Sequence, residues 1–153
     1  KNKLEAIFIK EFEYAKTKQD FKEPSNRKKL GLVTGQSQDA AKYFKKNSFH
    51  IIVGDLPYGI AHGNTSDSIS KAITRSPYQL LKQCLPAWAQ ILKEGGTIVL
   101  AWNSFVASKH KLNELFVENG LEVLDDEELQ FEHMVDKSIK RDIIIAKKAK
   151  VSK

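Results

Sequence analysis

Phe49-His50-Ile51-Ile52-Val53-Gly54 runs without a break into Asp55-Leu56-Pro57-Tyr58-Gly59. The first six residues are almost continuously apolar, the pattern of a strand buried on both faces of a parallel sheet. The next five stop that strand abruptly. Pro57 stiffens the turn. An acid directly after a buried strand lies where open α/β sheets take their ligands, at the carboxyl ends of the strands. Residues 59–76 follow, rich in Gly, Ser, Thr and Asn. A connection of that length is uncommon unless it serves a function or is disordered.

Downstream, Ser76-Pro77 has the chemistry of a helix start, a capping hydroxyl with proline in the first turn. Leu80, Leu81, Cys84, Leu85, Trp88, Ile91 and Leu92 then recur at helical spacing. Pro86 falls inside this helix and is expected to kink or break it, and Gly95-Gly96 is expected to end it. Thr97 to Trp102 reads as a second buried strand. Ser108 is placed to cap a helix whose Leu112, Leu115 and Phe116 face inward and which closes at Gly120. Leu121–Leu124, Leu129–Val135 and Arg141–Ala146 read as strand material. No convincing helix separates the last two, so a hairpin is expected, with one closing strand antiparallel to the others.

Upstream, Leu4, Ile7, Phe8, Phe12 and Ala15 suggest an amphipathic helix over residues 3–14. Residues 16–28 read as a polar loop and residues 29–34 as a short strand. Asp39 is placed to cap a helix through Ala40, Ala41, Tyr43 and Phe44. The alternation of helices and strands predicts an α/β sheet. The 153 residues suggest one domain, with a basic helix and loop over 1–28 and the core over 29–148.

The net charge of +6 is unevenly placed, with twelve Lys/Arg against six Asp/Glu in residues 1–48 and balanced charges thereafter. Such an excess suits a polyanion through phosphate contacts, and equally an ordinary solvated surface. No run of eighteen apolar residues and no signal-peptide pattern is present, so neither a membrane span nor secretion is expected. One cysteine, Cys84, lies among apolar residues and reads as a buried thiol, which makes the cytoplasm the expected compartment. His50, His62, His110 and His133 are not at ligand spacing, so no metal is expected.

Asp55, Leu56, Pro57 and Tyr58 carry the chemistry. The Asp55 carboxylate and the Leu56 carbonyl can accept both N–H bonds of a planar exocyclic amine. The Tyr58 ring can stack on the base, worth roughly 1–3 kcal/mol. Held this way, the nitrogen lone pair points at an electrophilic methyl, and the catalytic effect is positioning. A plain strand-end turn acid is the alternative reading of Asp55.

Asp55-Leu56-Pro57-Tyr58 resembles the Asp/Asn-Pro-Pro-Tyr/Phe signature of Rossmann-type, S-adenosylmethionine-dependent amino methyltransferases. With Leu56 in place of the first proline and Gly59 following, it is most similar to the THUMP-associated tRNA guanine-N2 methyltransferases. The resemblance spans residues 28–148. It implies a class I methyltransferase sheet with a closing antiparallel strand, S-adenosylmethionine as cofactor and RNA, tRNA above all, as partner. It places Gln38-Asp39-Ala40 after the family's third strand, where an acid bonds the cofactor's adenine, and adds Asp55 to the cofactor contacts. A helix cap explains Asp39 equally well. Tyr58, Gly59, His62 and Asn64 become candidate substrate contacts.

The family's first two strands and its glycine loop have no counterpart in this sequence. The chain is therefore expected to be the C-terminal part of such a domain, inactive alone and prone to self-association through an incomplete sheet. DNA adenine or cytosine methylation, protein glutamine methylation and a non-catalytic fragment are the alternative functions.

Overall fold

The structure, a computed structural model, describes residues 8–59, 76–125 and 130–150. Two compact units meet in sequence between Ser37 and Gln38. In the first unit, strands β1 (Phe8–Tyr14) and β2 (Lys28–Thr34) form an antiparallel pair running from Phe8↔Thr34 to Tyr14↔Lys28. The helix expected over residues 3–14 is thus a strand where the chain is described. The reason lies in the spacing: Phe8 and Phe12 are four residues apart, which fits one helix face and also one strand face. Aromatic and β-branched side chains favour the strand once a partner is available. The segment expected as a loop over 16–28 holds a one-turn helix, α1 (Lys18–Lys22), and a 3-10 turn at Pro24–Asn26. The Thr17 hydroxyl caps α1 by accepting the Asp20 amide at 3.0 Å. β2 belongs to this two-stranded sheet rather than to the larger one.

The second unit contains α2 (Ala40–Tyr43), β3 (Phe49–Asp55), α3 (Pro77–Ile91), β4 (Leu92–Asn103), α4 (Lys109–Glu118), β5 (Leu121–Val123), β6 (His133–Asp136) and β7 (Ile139–Lys148). The sheet order is β3-β4-β7-β5, and β6 also pairs with β7. β3 and β4 are parallel, while β7 is antiparallel to β4, β5 and β6. The expected closing antiparallel strand is β7, reached through the β6–β7 hairpin. β6 begins at His133 rather than Leu129, and residues 126–129 lie outside the described residues.

Register decides which side chains share a face. Ile52 pairs with Ile98 and Gly54 with Leu100, while Leu100 pairs with Ile144 and Ile98 with Ala146. This face carries the core: Ile98, Leu100, Trp102 and Ile144 pack with Leu81 and Leu85 of α3 and Leu112, Leu115 and Phe116 of α4. The opposite face holds Ile51 beside Thr97, Val53 beside Val99, and Asp55 beside Ala101, with Ile145 and Ile143 next across. Among the described residues nothing covers its β3 end, where Ile51 is 56% and Val53 70% exposed. The expectation of a β3 buried on both faces is therefore corrected: β3 is an edge strand of this unit, buried on one face. An unbroken apolar run reports β propensity on both faces, and it does not report what covers each of them.

Pro86 does not break α3, which runs through it for 15 residues. The missing proline N–H leaves the Lys82 carbonyl without its helical partner. Both residues face solvent, where water can bond that carbonyl. Ser76 caps the helix as its sequence suggests, accepting the Gln79 amide at 3.4 Å. Gly95-Gly96 does not end it. The helix stops at Ile91, and the Lys148 ammonium donates to the carbonyls of Ala89 at 2.7 Å and Leu92 at 2.8 Å. Gly96 instead lies inside β4, where an added Cβ would meet the His50 carbonyl oxygen at 3.0 Å. Only glycine lets the two strands approach there. Ser108 occupies the N-cap position before α4, as its sequence suggests, but makes no side-chain cap bond. Cys84 is buried, and burial pushes its thiol up to about 11. No described helix is long and apolar enough to cross a membrane.

This division of faces sets the cost of substitution. Leu100→Ala should lower stability by about 2–5 kcal/mol. Val53→Thr, which keeps the branched side chain on the open face, should change it by less than about 0.5 kcal/mol. Urea unfolding of both variants checks the pair.

Candidate active site

β3 delivers Asp55 to the carboxyl end of the sheet on its open face, and the next residue turns the other way. Leu56 is 4% exposed and belongs to the core on the helix-covered face. Its amide donates to the Ala101 carbonyl at 2.8 Å, so the β3–β4 ladder extends one residue past Asp55. The apolar residue at this position is thus an anchor. It fixes the turn from below while the acid beside it stays exposed.

Tyr58 folds back over that acid. Its hydroxyl donates to Asp55 Oδ1 at 2.7 Å. Burial, then the hydrogen bond to Asp55 and its negative charge, raise the phenol above the usual 10.0, with Arg141 opposing them. The Arg141 guanidinium carbon lies 6.0 Å from the centre of the Tyr58 ring. Gly59 follows at φ +74°, and an added Cβ would lie 2.9 Å from a Val106 methyl. Both the left-handed backbone and the close approach therefore require glycine here.

Asn103, at the end of β4, is a residue that no sequence pattern singles out. It is fully buried. Its Nδ2 donates to the Tyr58 carbonyl at 3.1 Å and the Ser138 carbonyl at 2.9 Å. Its Oδ1 accepts the Phe105 amide at 3.2 Å and the Lys140 amide at 3.0 Å. One carboxamide therefore joins the Asp55–Tyr58 turn, the start of the β4–α4 connection and the β6–β7 hairpin. The only sequence signal is an amide side chain closing a buried strand, and three of its four partners come from two distant segments.

On the helix-covered side, an open cleft of about 680 Å³ is lined by Ser104, Phe105, Lys109, Asp125, Glu132 and Asp142 among others. Four of its charged groups are paired, Lys109 with Asp125 and Lys140 with Glu132, each at 2.6 Å, and Asp142 accepts the Ile143 amide at 2.7 Å. The hydrogen bond from Lys140 leads in holding the Glu132 carboxyl below its usual range. In the first unit, Lys16, Asp20, Ser25, Asn26, Arg27 and Lys28 line a smaller opening of about 390 Å³.

The remaining candidate residues are not brought to this cluster by any described hydrogen bond or ion pair. Gln38 is exposed, Ala40 is buried against α3, and Asp39 bonds Lys42 at 2.8 Å. Asp39 makes no side-chain cap to α2. His62 and Asn64 lie outside the described residues. No described group of three or more His, Cys, Asp or Glu is placed to hold a metal.

Solved structures share this arrangement of strands and helices. A Thermus thermophilus protein described as a DNA modification methylase matches with a TM-score of 0.50 at 14% identity, over 78% of this chain and 53% of that one. The same protein in complex with S-adenosyl-L-methionine matches with a TM-score of 0.50 at 14% identity, over 78% and 56%. The chain thus spans about half the length of the structures it matches. At this identity the likeness shows the fold: a Rossmann-like α/β sheet of the class I methyltransferase type. No protein-family model and no curated protein matches the sequence.

Two measurements probe the turn. Asn103→Leu keeps the volume but takes the partner from four backbone groups, each such bond worth about 0.5–1.5 kcal/mol. Hydrogen exchange should show the Phe105 and Lys140 amides losing protection while the amides of α3 keep theirs. Tyr58 should be the late-titrating phenol. Its folded-state value is raised, so the stabilisation it contributes is present below pH 10 and fades as pH climbs past that value. In ultraviolet titration, Tyr58→Phe should remove a step above pH 10. Asp55→Asn should bring that step down only in part, because burial is the larger cause.

Proposed function

We propose that this chain carries the amine-holding part of an S-adenosylmethionine-dependent methyltransferase that acts on an exocyclic amino group of a nucleic acid, with guanine N2 of tRNA as the leading target. The observation that supports it best is the Asp55–Tyr58 turn. An exposed carboxylate and an aromatic ring stand together at the carboxyl end of a parallel strand, hydrogen-bonded to each other and tied down by a fully buried amide. The class I methyltransferase fold and the Asp-Leu-Pro-Tyr-Gly sequence support the same reading.

The chain's residues divide the work. With Tyr58 bonded to Oδ1, Asp55 keeps Oδ2 for one amine N–H, and the Leu56 carbonyl is the acceptor for the other. The Tyr58 ring offers a face to the base. The bound cofactor supplies a methyl group on a positively charged sulfur. Held in line with that methyl, the nitrogen would take it as the bond to sulfur breaks with its electron pair left on sulfur, and the Asp55 carboxylate or water would accept the proton that the nitrogen sheds. Positioning and the carboxylate's charge are what this chain contributes.

The residues present suit the reacting end of that cofactor better than its remainder. Asp55 lies exposed on the open face of the sheet, beside Val53 and Ala101. Gln38, Asp39 and Ala40 are the candidates for the adenine end, on the strength of the resemblance. Among the described residues no glycine-rich turn follows a strand to cradle the methionine end. The basic excess of the first unit, with Lys16, Arg27 and Lys28 around one opening, supports a nucleic-acid substrate over a protein one.

The test is methyl transfer by the full-length enzyme to unmodified tRNA, with the product base identified by mass. Tyr58→Ala should lower kcat by about a hundredfold or more, in line with the loss of positioning, with an unchanged melting temperature. Tyr58→Phe, which keeps the ring, should retain most of the rate. A Tyr58→Ala enzyme that is equally active would remove this turn from the chemistry. Methylation of DNA but not tRNA would keep the turn and change the substrate.

A further inference from the structure

Arg141 is a cation of the second unit, close to Tyr58, that amine methylation at Asp55 and Tyr58 leaves unused. Register places it on the open face: it pairs with Asn103 across β4 and with His133 across β6. Asp55 lies on that same face, at the same end of the sheet. The ion pairs of its neighbourhood bypass it. Lys140 takes Glu132 and Lys109 takes Asp125, and register turns Lys140 and Asp142 away from Arg141. Among the described residues no carboxylate pairs with the Arg141 guanidinium, and its Nε is buried with no acceptor. A buried guanidinium N–H without an acceptor is costly, and such a group is suited to an anion that arrives with a ligand.

The position tells which anion. The guanidinium carbon lies 6.0 Å from the Tyr58 ring centre, and its hydrogen bonding to the phenol, then its charge, oppose the rise of the Tyr58 phenol. The guanidinium therefore lies over one face of the Tyr58 ring, leaving the other face as the one a base would stack on, and the hydroxyl of that ring bonds the Asp55 carboxylate. A nucleotide whose base meets Asp55 and Tyr58 carries its phosphate only a sugar's length away. Arginine's planar fork matches two phosphate oxygens at once, which a lysine ammonium cannot do.

We infer that Arg141 is a substrate-anchoring residue that binds the phosphate of the target nucleotide while Asp55 and Tyr58 hold its base. This rests on the nucleic-acid reading of the turn. It adds that the site recognises a nucleotide rather than a nucleoside, and it predicts selection by a group remote from the reacting nitrogen.

The experiment is an NMR titration of this chain with guanosine 5′-monophosphate, guanosine and S-adenosylmethionine, followed at the Arg141 Nε–H and the Tyr58 ring signals. The monophosphate should move both signals. Guanosine should move the Tyr58 ring and leave Arg141 in place, binding about tenfold more weakly, the ratio expected for loss of one charge-assisted contact. Arg141→Gln should abolish the difference between the two ligands, and Arg141→Lys should restore part of it. Unchanged chemical shifts in α3 and α4 show that each variant is folded. Equal binding of nucleotide and nucleoside would overturn the anchoring role and leave the base reading intact. A response of Arg141 to S-adenosylmethionine alone would overturn it in favour of the cofactor's carboxylate. No movement of the Tyr58 ring with either guanine ligand would overturn the base reading, and this inference with it.

Discussion

The Asn103 carboxamide is the interaction on which the rest of the candidate site depends. It has two N–H donors and one oxygen with two lone pairs, and all four capacities are used. Each bond goes to backbone: Tyr58 and Ser138 on one side, Phe105 and Lys140 on the other. Because the residue is fully buried, its own amide has no water as a substitute for these partners. Two of the chain segments that it joins lie far from it in sequence, so the carboxamide ties them to the start of its own loop. A charged carboxylate at the same position would offer no donors and would leave the Tyr58 carbonyl unbonded. A hydrophobe would leave all four partners unsatisfied.

From that point the architecture follows a division of labour between the two faces of the sheet. One face is a conventional core, with Ile98, Leu100 and Trp102 of β4 meeting α3 and α4. Trp102 fills that core and donates its ring N–H to the Ala107 carbonyl at 2.9 Å, fixing the entry to α4. The other face ends in the candidate site. Asp55, Asn103 and Arg141 occupy it because strand alternation puts Leu56, Trp102 and Asp142 on the opposite side. Shifting any of these strands by one residue would exchange the two sets. The register of β3, β4 and β7 therefore places the exposed carboxylate, the buried amide and the guanidinium together.

The rigidity of the turn and its function are linked through the same contacts. Leu56 is held in the core and by its bond to Ala101, and Gly59 passes under Val106 with a backbone that few other residues adopt. Between these two fixed points lie Pro57 and Tyr58. The phenol can then hold its bond to Asp55 without the entropy cost of ordering a loose loop. A site proposed to work by positioning needs this stiffness more than it needs a reactive group.

The sequence by itself determined the elements whose signals are local. The apolar run 49–54 made a strand, Asp55-Leu56-Pro57-Tyr58-Gly59 made its sharp end, Ser76-Pro77 started a helix, and the absence of a helix before Arg141 pointed to a hairpin. It also supplied the resemblance that named Asp55 and Tyr58. What it left undecided was whatever depends on a partner distant in the chain. Residues 8–14 fit two periodicities, and β2 chose the strand. Pro86 is tolerated because the carbonyl it orphans faces water. Gly96 serves a close approach to β3 rather than a helix end, which Lys148 closes from far along the chain. β3 is apolar on both sides, yet only tertiary packing decides that α3 covers one of them. Asn103 and Arg141 carry no local signature at all. Their roles come from the register of β4 with β7, and register is set by the whole sheet.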